Sequence, residues 1–133
     1  MREGKPAEAA ALLGEALSGR RRWLGEGHPV TLETTVDLAV ALHAQGKFAE
    51  GAALARTSLA EGEKAHPEAW QTALARSVLG ACLAGERKQA EARPLLRAGI
   101  HGMEAQRERI PAARRERLEW ARERLRALEQ AGR

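Results

Sequence analysis

The chain has 133 residues, which is enough for one domain built around one core. It holds 28 alanines and 17 leucines against four valines and two isoleucines, a composition that favours helices and disfavours a sheet. The formal net charge is +4, and residues 107–133 alone contain nine arginines against five glutamates, so a uniformly basic surface is excluded.

Five helices are predicted in chain order from apolar residues at helical spacing and from the residues that begin and end each segment. Proline is tolerated in a first helical turn, so Pro29 and Pro67 mark helix starts, while Gly46 marks a helix end. Pro94 falls inside a predicted helix, where it removes one backbone hydrogen bond. The predicted helices are Pro6–Leu24, Thr31–Gln45, Phe48–Lys64, Glu68–Ala84 and Gln89–Gln106.

A sixth helix is predicted at residues 110–130, beginning around Ile110 and Pro111. Its apolar stripe is narrow, and its other faces carry Arg and Glu at i,i+3 and i,i+4 spacing. This pattern favours a capping helix, which covers the end of a helical stack with one side and meets water with the rest. The stripe consists of Leu118, Ala121, Leu125 and Leu128.

Three landmarks recur in the same order along the chain and indicate internal repeats. Lys5-Pro6-Ala7-Glu8-Ala9 returns after 42 residues as Lys47-Phe48-Ala49-Glu50-Gly51, and after a further 41 as Lys88-Gln89-Ala90-Glu91-Ala92. His28-Pro29 returns as His66-Pro67, and Leu38–Leu42 returns as Leu79–Leu83. Each unit is predicted to be a pair of helices. The single domain 1–133 then divides into a partial repeat (4–28), two repeats (29–66 and 67–106) and the capping helix (110–130).

These landmarks resemble the tetratricopeptide repeat family, specifically the repeats of about 42 residues found in kinesin light chains and many bacterial proteins. The resemblance covers residues 4–106. It implies an all-α protein, a right-handed antiparallel stack of about six helices (an α-α superhelix) that includes the C-terminal cap. The residues that carry it are Leu24-Gly25-Glu26-Gly27-His28-Pro29, Leu38-Ala39, Ala44-Gln45-Gly46-Lys47-Phe48-Ala49-Glu50 and Ala90-Glu91-Ala92-Arg93-Pro94-Leu95-Leu96.

The resemblance also implies a binding surface, because in this family the first helix of each repeat lines a concave groove. Acidic residues there favour a partner that carries Lys or Arg, and Trp70 offers an apolar anchor. The alternative is that some of these residues pack against neighbouring helices and the rest are ordinary surface. The implied groove residues are Glu33, Val36, Asp37, Val40, His43, Trp70, Leu74 and Ser77.

The first repeat lacks its first helix, so one apolar face of the Pro6–Leu24 helix needs a cover. Two explanations are open: two copies cover each other as a homodimer, or the chain is a piece of a longer protein whose upstream region supplies the cover. The predicted self-association face consists of Ala9, Leu12, Leu13, Ala16 and Leu17. The neighbouring cluster Arg20-Arg21-Arg22-Trp23 is interpreted as ordinary surface.

Catalytic and metal sites find no support in the sequence. His28, His43, His66 and His101 lack Cys or His neighbours at ligand spacing, so a structural role is favoured over metal binding. Cys82, the one cysteine, lies among small residues of a predicted helix and is interpreted as a buried, inert thiol. We find no phosphate-binding glycine loop and no nucleophile beside a base. The prediction is a protein that is not an enzyme and binds no cofactor.

The location follows from similar negative observations. No apolar run approaches the roughly 20 residues of a membrane-spanning helix. The first residues are not followed by the apolar core of a signal peptide. A cytoplasmic protein without membrane contact is predicted.

The predicted function is a protein–protein interaction module or scaffold that binds a peptide or partner helix through the groove or the open N-terminal face. The alternative is a nucleic-acid-binding accessory protein that contacts phosphate through the C-terminal arginines. Interleaved glutamates and a single aromatic residue, Trp120, favour a solvated helix over that alternative. The arginines concerned are Arg107, Arg109, Arg114, Arg115, Arg117, Arg122, Arg124 and Arg126.

Overall fold

The structure, a computed structural model, describes residues 5–131. Within this range the chain forms six α-helices and no strand, which confirms the predicted all-α helical stack. Two short 3-10 turns, Arg107–Arg109 and Ala112–Arg114, precede the last helix. The helices are α1 (Lys5–Leu24), α2 (Pro29–Ala44), α3 (Phe48–Ala65), α4 (Trp70–Gly85), α5 (Gln89–Ala105) and α6 (Glu116–Ala131).

The helix ends follow from local chemistry at the two repeated landmarks. His28 precedes α2, and its Nδ1 accepts a hydrogen bond from the Val30 N–H at 3.1 Å, with Pro29 in the first turn. Gly46 lies in the turn between α2 and α3 and has φ +77°, a conformation that glycine adopts without strain. The position 41 residues later is Arg87, which adopts φ +64° in the equivalent turn. The turn is therefore retained although its glycine is not.

The second His-Pro landmark, unlike the first, does not begin a helix. Helix α4 begins at Trp70, two residues after the predicted start, because residues 67–69 form a turn. The carbonyl of His66 accepts hydrogen bonds from the Ala69 N–H at 3.1 Å and from the Thr72 hydroxyl at 2.7 Å. The His66 ring lies 3.1 Å from the Gly27 carbonyl and thereby links the two inter-repeat loops.

The core is one apolar cluster that runs from α2 to α6, with α4 at its centre. Twelve of the sixteen residues of α4 are buried, whereas Leu17 alone is buried in α1. A small second cluster of Leu17, Leu38 and Leu42 attaches α1 to α2. Pro94 lies inside α5 without ending it. None of the helices described in residues 5–131 combines the length and apolar character needed to cross a membrane.

The last helix begins six residues later than predicted, at Glu116 instead of residue 110. The cause is Ile110, which is buried in the core, and Pro111, whose extended backbone interrupts the helix. The Arg115 Nε donates to the Ile110 carbonyl at 2.9 Å and holds the connection against the start of α6. Leu118, Ala121 and Leu128 of the predicted stripe are buried, and Leu125 packs against the core from its edge.

Candidate functional site

Helices α2 and α4 carry the predicted groove residues, and most of these residues lie in the interior. Val36 and Leu74 are 1% exposed and Ser77 is 0% exposed. Trp70 and Val40 are also buried. In this conformation Val36, Trp70, Leu74 and Ser77 offer almost no surface to a partner, because neighbouring helices already cover them. Val40 shows only an edge, to the space between α1 and α2. For these five residues the structure favours the alternative of core packing.

The two acidic groove residues contact arginines of the same chain. Arg114 Nη1 donates to both carboxylate oxygens of Asp37, at 2.7 and 2.8 Å, and Arg114 Nε lies 3.6 Å from the Glu33 carboxylate. Arg117 lies 3.7 Å from Asp37, and the Gln71 amide donates to Glu33 at 3.0 Å. The cationic group that the sequence assigned to a partner is thus supplied from the segment around the start of α6.

Burial lowers the pKa of the Arg114 guanidinium, but the hydrogen bond and charge of Asp37 together with the charge of Glu33 outweigh it. The net effect is a raised pKa, so this arginine is charged at neutral pH.

His43, the last of the predicted groove residues on α2, contacts α6. Its ring meets the edges of Phe48 and Trp120, with ring centroids 5.1 and 5.3 Å apart. Burial, and secondly the charge of Arg124, lower the pKa of His43 below its usual value. The imidazole is therefore neutral at pH 7 and acts as a packing group.

Several C-terminal arginines are paired within the protein. Arg122 forms ion pairs with Glu104 and Glu119, and Arg126 pairs with Glu119 at 2.9 Å. The Arg124 guanidinium lies 5.5 Å from the centre of the Trp120 ring. These carboxylates neutralise part of the charge that the nucleic-acid alternative would require.

The predicted self-association face of α1 is divided between two environments. Leu17 is buried against α2, and Leu13 is half-buried beside it. Leu12 is 68% exposed, and Ala9 and Ala16 are partly exposed. Trp23, which the sequence pattern places in a surface cluster, is 80% exposed, and Leu24 beside it is 43% exposed. Their position in the sequence already indicates this exposure, because large apolar residues at the end of a helix, beside a turn, have few neighbours to cover them.

An apolar cavity of about 340 Å³ lies between α1 and α2. Its walls are mostly small or aliphatic side chains, and charged groups stand at its rim. Asp37 is among them, so the cavity adjoins the ion-pair cluster described above. The lining residues are Lys5, Pro6, Ala9 and Leu13 of α1, Asp37, Val40, Ala41 and Ala44 of α2, and Arg117 of α6.

The chemically reactive groups of the described residues are not assembled into a site. Cys82 is fully buried, and burial together with the charge of Glu86 raises the pKa of its thiol to about 12, which keeps it protonated and inert. Residues 5–131 contain no group of three or more His, Cys, Asp or Glu side chains placed to hold a metal ion. The exposed apolar surface of α1 and the cavity beside it are the remaining candidates for recognition.

The comparisons with known proteins concern mainly the first half of the chain. A family model described as "Tetratricopeptide repeat" matches residues 1–60. In the structure these residues comprise α1, α2 and most of α3. No curated protein matches the chain significantly.

Proposed function

Because the chain is a tetratricopeptide repeat protein, we propose that it recognises its partner at the open end of the stack, on α1, and performs no chemistry itself. Tetratricopeptide repeats are in general protein–protein interaction modules. The open end is defined here as the exposed side of α1, with Leu12, Trp23 and Leu24, and the cavity between α1 and α2.

The observation that supports this proposal is the distribution of exposed large apolar side chains. In residues 5–131 these are Leu12, Trp23 and Leu24, and all three lie on α1. Large apolar side chains gathered on one element mark an interaction surface, and Trp is among the residues that contribute most to binding. The predicted groove on α2 and α4 offers less, since a peptide there would compete with Arg114 and Arg117 for Asp37.

The experiment is site-specific photo-crosslinking in cells that produce the protein naturally. A photoreactive phenylalanine analogue replaces Leu12 or Trp23, and matched control positions are Arg56 on α3 and Glu123 on α6, both exposed. We expect a crosslinked product with a second protein from positions 12 and 23 and none from the controls. Products from the controls alone, or from no position, would refute recognition at the open end.

A further inference from the structure

The internal repeat shows which positions of α1 lack a cover. Offsets of 42 and 41 residues align α1 with α3 and α5, which are the second helices of the two complete repeats. In α3 and α5 all six equivalents of three α1 positions are buried, whereas in α1 the three residues are half-exposed. The aligned sets are Ala9, Gly51 and Ala92; Leu13, Ala55 and Leu96; and Ala16, Ser58 and Gly99.

The cover on α3 and α5 is the helix that precedes each of them. On α3, the Ser58 hydroxyl donates to the Leu32 carbonyl of α2 at 3.3 Å, and a Cβ on Gly51 would lie 3.1 Å from the Ala39 carbonyl. On α5, a Cβ on Gly99 would lie 2.7 Å from the Ala73 carbonyl of α4. Both first helices thus approach their second helix through small residues, close to backbone contact.

The cavity lies where the same cover is missing from α1. Its α2 wall includes Asp37 and Val40, whose equivalents in α4 are Val78 and Ala81, 0% and 1% exposed. Its α1 wall includes Ala9 and Leu13, two of the three uncovered positions. A helix placed against α1 as α2 lies against α3 would therefore close the cavity from both sides.

We propose that this cavity receives an amphipathic helix from a different protein, with small residues three to four positions apart facing α1 and an acidic residue near the rim. The proposal rests on the proposed function at the open end. The acidic residue follows from the charged groups at the rim, where Lys5 and Arg117 outnumber Asp37 by one charge. The incoming helix supplies the contacts that α2 gives α3 and α4 gives α5.

A second copy of the chain is a poorer occupant than a different protein. The first helices of the described chain, α2 and α4, have ten and twelve buried residues and are already covered in their own stack. The apolar stripe of α6 is likewise buried through Leu118, Ala121 and Leu128. No described first helix or capping helix can thus leave its place without exposing a core of its own.

The test uses a probe whose sequence is known to cover a second helix: a labelled synthetic peptide of residues 28–46, which reproduces α2. It carries Glu33 and Asp37, and Ala39 is the small residue at closest approach. Binding to the full chain is measured by fluorescence anisotropy, over a wide concentration range because a peptide of this length is only partly helical alone. We expect saturable binding.

Three variants locate the binding. Ala44→Trp fills the cavity and should weaken binding at least tenfold, whereas Ala60→Trp, at an exposed position of α3, should leave it unchanged. A peptide with Ala39→Trp should also bind at least tenfold more weakly, because bulk prevents the close approach. Circular dichroism establishes that each protein variant remains helical.

Other outcomes would contradict the proposal. The proposal fails if the peptide does not bind, or binds the Ala44→Trp variant equally well. Light scattering should give the monomer mass of 14.4 kDa without a partner. A dimer that Ala44→Trp dissociates would identify a second copy as the occupant and overturn the proposal. Crosslinks from positions 12 and 23 without peptide binding would overturn this inference but leave recognition at the open end intact, whereas the absence of both crosslinks and peptide binding would refute both.

Discussion

Asp37 shows at the scale of a residue how a surface prediction and a structure can assign the same side chain differently. The sequence places it with Glu33 on a face that should attract a basic partner. In the structure the basic group is Arg114, 77 residues further along the chain, which binds both carboxylate oxygens. Asp37 does pair with a cation, but that cation belongs to the same molecule.

This pair should contribute measurably to stability. Its hydrogen bonds are short, charged and partly buried, so we expect Asp37→Ala to lower the free energy of unfolding by about 1–3 kcal/mol. A double-mutant cycle with Arg114→Ala, measured by urea denaturation, should give a coupling of about 1–2 kcal/mol. The more exposed pair Arg21–Glu26 is the matched control, with a coupling below about 1 kcal/mol. Equal couplings would show that partial burial gives the Arg114–Asp37 pair no advantage over an exposed pair.

At the scale of an element, glycine marks where helices touch and where they do not. A Cβ at Gly99 would lie 2.7 Å from the Ala73 carbonyl, whereas one at Gly14 would meet nothing within 4 Å. Gly99 lies between α4 and α5, and Gly14 lies on α1. Glycine at position 99 thus permits close contact between α4 and α5, whereas glycine at position 14 permits no contact and only lowers the stability of α1.

These two glycines allow a prediction with opposite signs. Gly99→Ala should lower the free energy of unfolding by about 1–3 kcal/mol or more, because backbone and the Ser77 side chain must move. Gly14→Ala should raise it by about 0.5–1 kcal/mol, because alanine is the better helix former. Chemical denaturation of both variants checks the pair. A loss of stability in both would mean that the open side of α1 is packed in solution.

At the scale of the whole molecule, stability is distributed unevenly along the stack. The main core runs from α2 to α6, and α1 is attached by the small cluster around Leu17. In stacks of this kind each helix is held mainly by its neighbours, so an end with few buried residues opens first. The proposed recognition surface therefore lies on the least stabilised element.

Hydrogen–deuterium exchange followed by mass spectrometry should resolve this gradient. Backbone amides of α4, with twelve buried residues, should exchange most slowly, and those of α1, with one, most rapidly. The peptide of residues 28–46 should slow exchange in α1 if it fills the cavity. Uniform protection across the free chain would contradict the gradient and indicate that α1 already has a cover.

The sequence alone was sufficient for the fold class and the course of the first five helices, because helix periodicity, Pro29 and Gly46 are local signals and the internal repeat aligns α1 with α3 and α5. It placed the start of α4 two residues early and that of α6 six residues early, because a turn at His66 and the burial of Ile110 decide those boundaries.

Only the tertiary structure decided which of the candidate site residues are buried or paired within the chain and which remain exposed. Periodicity identifies which residues share a helix face, but not which distant segment lies on that face. The sequence could not show that Arg114 would reach Asp37, or that Leu13 and Leu17 would pack on α2 while Leu12 and Trp23 remain exposed. Those outcomes depend on contacts between residues far apart in the chain, which are set by how the helices stack.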